Sequence, residues 1–248
     1  MMKNMLAAFI FFTRLPFWRI AHVPAECFKQ VVPYWPLTGW LTGGIVALTL
    51  WLTGQIFPLS VAWILALTAR LLVTGCLHED GLADFCDGFG GGTTRERTLA
   101  IMKDSHIGTF GVIGLIVYFL LMTQMSAMPL HTLCAVAFCA DTYSKWCASH
   151  LINFLPYARK EEESKAQVTY RRMSAKEALM GAFFGWIPVC LLLPAGWMWI
   201  CLCPPLVFFL LCLWMKKRLG GYTGDCCGAL FLLCELSFYL CTLAWLWK

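Results

Sequence analysis

Seven stretches of this chain, near 31–53, 59–77, 108–128, 131–154, 178–195, 198–215 and 228–247, are each apolar for about the length that crosses a ~30 Å hydrocarbon layer. Backbone polar groups in lipid must find partners within the segment, so the spans read as helices. An outer-membrane barrel needs strands that alternate apolar and polar residues, and these segments do not alternate. With 60% of its residues hydrophobic and 13% charged, the chain carries too much apolar surface for a soluble domain of its length. The expected fold is all-α: a polytopic integral membrane protein, one membrane-embedded domain over 1–248, with about seven transmembrane helices. The N-terminal "MLAAFIFFTRLPFWRI" is too short to span, and no small-residue cleavage site precedes Arg14 and Arg19. It reads as an interfacial or re-entrant helix anchored by Phe17 and Trp18. The fourteen cysteines lie mostly inside apolar segments without zinc spacing and read as small buried hydrophobes.

The charges divide the connections into two kinds. Loops near 54–58, 129–130 and 196–197 carry none. The N-terminal segment and the loops 78–107, 155–177 and 216–227 hold sixteen of the nineteen Lys and Arg, all but Arg70, Lys145 and Lys248. The positive-inside rule makes that side cytoplasmic, with the N-terminus inside and the C-terminus outside.

On this face lies "LHEDGLADFCDGFGGG", residues 77–92, with Glu79, Asp80, Asp84 and Asp87 in nine positions. If the preceding helix continues through it, Asp80, Asp84 and Asp87 fall on one narrow stripe at about 100° per residue. Carboxylates so placed repel one another unless a cation sits among them, and hard oxygen ligands suit Mg²⁺ or Mn²⁺. Because Mg²⁺ commonly shares its ligands with phosphate, the stripe points to a phosphate or diphosphate substrate. Glu79 and His78 point off the stripe. Gly90, Gly91 and Gly92 are expected to end the helix.

Two further groups share the face, and a third lies within the spans. In "RERTLAIMKDSHIGTFG", Asp104 is a further metal-ligand candidate, and Arg95, Arg97 and Lys103 are phosphate-binding candidates. Ser105 and His106 stand before a helix start, a natural anion site. In "KKRLGGYTGDCCGA", Gly221, Thr223, Gly224 and Asp225 resemble a phosphate or metal subsite, and Asp225 is expected beside the acidic stripe, joined there by Asp104. Within the spans, Asp141 and Lys145 are four apart and expected to pair, and Glu235 requires a partner.

At "HEDGLADFCDG" the chain resembles the cobalamin synthase family, the adenosylcobinamide-GDP ribazoletransferases. The pattern H-x-D-G-L-A-D-x-x-D-G is met at His78, Asp80, Gly81, Leu82, Ala83, Asp84, Asp87 and Gly88. "FFTRLP" at 11–16, "IMKDSHIGTFG" at 101–111, "PYAR" at 156–159 and "LGGYTGDCCGA" at 219–229 resemble its other motifs in order. Residue 79 is Glu where other members can carry an apolar residue, and Lys145 stands where Arg is expected.

The resemblance implies a catalytic membrane domain that joins adenosylcobinamide-GDP to α-ribazole or its 5′-phosphate, giving adenosylcobalamin or its 5′-phosphate and GMP. It implies a bacterial cytoplasmic (inner) membrane, multi-pass, with the site facing the cytoplasm, Mg²⁺ as cofactor, and contact with membrane lipid but no nucleic acid. On this reading Glu79, Asp80, Asp84, Asp87, Asp104 and Asp225 are the metal candidates. Asp84, Asp87 and His106 are the catalytic candidates. Arg14, Arg95, Lys103, Ser105, Lys145, Arg159, Gly221, Thr223 and Gly224 are the substrate-binding candidates. Two other classes compete. A CDP-alcohol phosphotransferase shares Asp84-x-x-Asp87-Gly88 but needs a later Asp-x-x-x-Asp that is absent. A divalent-cation transporter would place acids near mid-membrane, where this chain has Asp141 and Glu235.

Overall fold

The structure is a computed structural model that describes residues 1–159 and 170–248, so the middle of the charged loop expected at 155–177 lies outside the described residues. The elements are helical: α1 (Met2–Phe12), α2 (Trp35–Thr53), α3 (Leu59–Thr74), α4 (Leu77–Gly91), α5 (Arg95–Lys103), α6 (Thr109–Thr123), α7 (Leu130–Ser149), α8 (Leu151–Phe154), α9 (Ala175–Leu192), α10 (Cys203–Leu219) and α11 (Gly224–Leu246). Among the described residues there is no strand, only an isolated parallel bridge between Tyr157 and Tyr222.

The side chains show what surrounds the bundle. On α6, Ile113, Ile116, Val117 and Leu120 recur at helical spacing and are all exposed. On α10, Leu206, Phe209, Leu210 and Leu213 repeat the pattern. Apolar stripes of this size facing outward are untenable in water and ordinary in lipid.

The expected count of seven spans is not met in full. Five helical stretches among the described residues are long and apolar enough to cross: Val32–Thr53, Thr109–Ala127, Ala175–Leu192, Ala195–Leu219 and Gly224–Leu246. A sixth exists only if α3 and α4 are taken together, and these meet at 90°. The acidic motif therefore does not continue the preceding helix as expected. Gly75 and Cys76 both take left-handed backbone, at φ 65° and 58°, which ends α3 and turns the chain. Gly75 accepts this conformation freely; Cys76 carries the steric cost of a side chain there. The other expected span outside the five is α7. Twenty residues give it the length, but it packs against α2, α9 and α11 and buries Asp141, Lys145 and most of its surface against protein. A helix shielded from lipid by its neighbours has no need to be apolar all round.

Two polar clusters lock the bundle. Arg70 on α3 donates from Nη1 to both carboxylate oxygens of Glu235 on α11, at 2.7 Å each. Its Nη2 donates to the Tyr118 hydroxyl of α6 at 3.0 Å and stands 3.5 Å from Glu79 of α4. Lys145 of α7 donates to Asp141 at 2.6 Å and to the Thr42 hydroxyl of α2 at 2.5 Å, and lies 5.0 Å from the Phe231 ring centre. The expected Asp141–Lys145 pair is thus present, and Glu235 has its partner.

Removing one member of a buried pair strands the other charge. Arg70→Met should lower the stability of the detergent-solubilised protein by about 3–5 kcal/mol, and Arg70→Met with Glu235→Met should recover a large part of it. Thermal unfolding followed by circular dichroism checks this; a double variant no more stable than the single would show that the pair does not hold these helices.

Candidate active site

The site begins where α4 crosses α11. A Cβ on Gly81 would stand 2.9 Å from the Asp225 carbonyl oxygen, and one on Gly228 would stand 3.2 Å from that of His78. Only glycine permits so close an approach, and it sets the first turn of α11 directly on the acidic motif. Thr223 caps α11: its hydroxyl accepts the N–H of Cys226 and donates to Asp225 at 3.3 Å. The loop before it is strapped to the "PYAR" segment by Ala158 N–H to Tyr222 O at 2.8 Å and Tyr222 N–H to Pro156 O at 3.0 Å. Gly221 leaves no room for a side chain against the Pro156 carbonyl.

These contacts enclose a cavity of about 300 Å³. Its polar wall holds Asp80, Asp225 and Arg159, with His78, Gly224 and Gly228; its apolar wall holds Phe11, Phe12, Trp35, Leu77, Tyr157 and Tyr170. Gly224 has open space where its Cβ would be. The His78 ring stacks on Trp35 with centroids 5.6 Å apart and meets Phe231 edge-on at 4.8 Å. Its Nε2 and the Trp35 indole N–H are buried without a hydrogen-bond partner.

The four carboxylates of the acidic motif separate. Asp80 is exposed and lines the cavity. Glu79 is turned inward to Arg70, with neither oxygen hydrogen-bonded. Asp84 is buried and lies outside the cavity wall. Asp87 accepts the N–H of Gly108 at 2.7 Å and of Gly111 at 2.8 Å, so it caps the start of α6, where a negative charge also offsets the helix dipole. Among the described residues no three His, Cys, Asp or Glu side chains are grouped to hold one metal ion. The expected stripe ligating a cation as a trio is therefore not the arrangement here.

The remaining candidates divide in the same way. Asp225, Gly224 and Arg159 line the cavity; Thr223 and Gly221 shape its edge. Asp104 does not join Asp225 there. It lies on an exposed loop, where it accepts the His106 backbone N–H at 3.0 Å and pairs with His106 Nδ1 at 2.7 Å, and these bonds hold its carboxyl below the usual range. His106, Lys103 and Ser105 are exposed on the same stretch and outside the wall. Arg95 is occupied elsewhere, donating to the carbonyls of Leu219 at 2.8 Å and Ala158 at 2.7 Å. Arg14 packs against Gly75 at the turn between α3 and α4, and Lys145 is buried in its own pair. The aromatic residues are what motif reading missed. Phe11, Phe12 and Tyr157 stand inside quoted motifs, at the end of α1 and in the "PYAR" segment, and bulky rings beside the Arg of each motif are the signal that marks them.

The deep acids do not form a cation path: Asp141 and Glu235 are each neutralised by a buried base. The cobalamin-5-phosphate synthase family model matches residues 4–243. Adenosylcobinamide-GDP ribazoletransferase of Shewanella amazonensis is 39% identical over 250 residues, spanning 98% of this chain and 95% of that protein. The protein of the same name from Leptothrix cholodnii is 38% identical over 251 residues, spanning 96% and 93%. That from Vibrio cholerae is 38% identical over 253 residues, spanning 97% and 93%. No solved structure matches the chain. A match that runs from α1 into α11, and so takes in both walls of the cavity, leaves no room for the rival classes: the chain belongs to the cobalamin-5-phosphate synthase family.

Proposed function

We propose that this chain joins adenosylcobinamide-GDP to α-ribazole, or to its 5′-phosphate, at the cavity between α4 and α11, with GMP as the second product. The observation that carries this is that Asp80 and Asp225 line one cavity, with Arg159 the one cationic side chain among the described lining residues. Two carboxylates beside a diphosphate repel it unless a cation intervenes. Mg²⁺ fits such a place, because it takes one or two carboxylates and completes its shell with phosphate oxygens and water. Asp80 and Asp225 would hold it, and when bound it supplies charge neutralisation for the diphosphate and the departing phosphate.

The chain's own groups do the rest. The ribose hydroxyl of ribazole attacks the phosphorus on the cobinamide arm; a new P–O bond forms and the bond to the GMP phosphate breaks. One of Asp80 and Asp225 orients that hydroxyl by accepting its hydrogen bond and takes its proton. Arg159 is held by its bond to the Leu99 carbonyl at 2.9 Å, which aims its remaining donors for phosphate. The protein lies in the bacterial inner membrane with this cavity facing the cytoplasm, as the Lys- and Arg-rich loops around it indicate.

Purified protein given adenosylcobinamide-GDP, α-ribazole and Mg²⁺ should release GMP and form a cobalamin; EDTA should stop the reaction and added Mg²⁺ restore it. Asp80→Asn and Asp225→Asn should each lower turnover by roughly 10²–10³-fold with folding retained. Turnover near that of the unaltered enzyme in both would remove the carboxylate pair from the mechanism. For orientation, a cysteine at Thr93 in a Cys-depleted variant should be labelled only from the cytoplasmic side, and one at Lys248 only from the other; labelling of both from one side contradicts the orientation.

A further inference from the structure

We infer that the aromatic end of this cavity is the subsite for the flat benzimidazole base of the ribazole substrate, which leaves the cobinamide nucleotide at the mouth. The inference rests on the transferase reading and adds which substrate enters. Phe11, Tyr157 and Tyr170 line the cavity and are only half-buried, so they keep ring surface for a ligand. Phe11 and Tyr170 meet at right angles, 6.1 Å between centroids, and Tyr157 is braced edge-on by Tyr222 at 5.4 Å. Behind them Phe12 and Trp35 stack with an interplanar angle of 7°. Braced rings around a slot are a preformed stacking site.

Size and polarity choose among the parts of the two substrates. A corrin macrocycle does not enter about 300 Å³. Guanine carries donors and acceptors along its edge, and an apolar end would strand them at a cost. Dimethylbenzimidazole is apolar except for one free ring nitrogen, an acceptor. With the base against the aromatic rings, the ribose hydroxyl reaches Asp80 and Asp225, beside the diphosphate of the other substrate.

The test uses the full-length protein in detergent. Phe11→Ala and Tyr170→Ala should each raise the KM for α-ribazole on the order of tenfold to a hundredfold, with the KM for adenosylcobinamide-GDP within about twofold of the unaltered enzyme's and kcat at saturation preserved. Tyr170→Phe, which keeps the ring, should restore most of the α-ribazole affinity that Tyr170→Ala loses. A rise in the KM for adenosylcobinamide-GDP instead would put the guanine in the slot, and no change in either constant would mean that no base binds there; both overturn the inference. Should the alanine variants fail to fold, calorimetric titration of the unaltered protein decides. Dimethylbenzimidazole should compete with α-ribazole for one site while GMP does not, and competition by GMP alone overturns the inference. Absence of turnover in the unaltered enzyme would count against the transferase reading, and the titration would still judge the slot.

Discussion

A guanidinium buried at membrane depth organises this molecule. Arg70 is 2% exposed, and its charge is tolerable only because four helices converge on it. α3 carries it, α11 supplies Glu235, α6 the Tyr118 hydroxyl and α4 Glu79. Glu79 reaches it because the chain turns by 90° after α3, which lays α4 across the others. Successive helix positions are about 100° apart, so turning Glu79 inward to Arg70 turns Asp80 toward the cavity. The ion pair that satisfies the core thereby also sets the phase of the helix that builds the site.

The same logic assigns the remaining carboxylates. Asp87 has both oxygens taken by the first turn of α6, and Asp141 is shared between Lys145 and Thr42. Each is a charge-assisted link between two elements, the kind of bond that is strong because one partner is ionised. The acids that line the cavity, Asp80 and Asp225, stand at the α4–α11 crossing, where glycine brings the backbones together.

Much of this was legible in the chain. Apolar length marked the places of the helices to within a few residues, because burial in lipid imposes it on every span. The glycines of "GGYTGD" point to a phosphate or metal subsite; in the fold Gly221 lies against the Pro156 carbonyl and Gly224 lines the cavity. The turn at Gly75–Cys76 was not legible, since Cys76 has no preference for left-handed backbone and is held there by the packing of α4. Nor was the fate of the acidic stripe. Spacing placed Asp80, Asp84 and Asp87 on one face, but which partner meets each depends on α6 and α11, elements distant in sequence. Asp104 and His106 looked like site residues because they follow the acidic motif; two residues apart on a loop, they satisfy each other.

The arginines carry the argument one step further. Basic residues on a cytoplasmic face invite assignment to phosphate, yet three of them donate to backbone carbonyls: Arg95 to Leu219 and Ala158, Arg218 to Gly92, and Arg159 to Leu99. They tie α5, the turn after α4, the "PYAR" segment and the end of α10 into one frame around the cavity. A carbonyl that loses such a donor in a partly buried place is left unsatisfied, so Arg95 and Arg218 are not available to swing onto a substrate. Of the three, only Arg159 also lines the cavity. Among the described lining residues, one guanidinium does not balance two carboxylates and the proposed diphosphate. That shortfall supports the proposed divalent cation at Asp80 and Asp225, and it follows from where the arginines are spent as much as from where the aspartates stand.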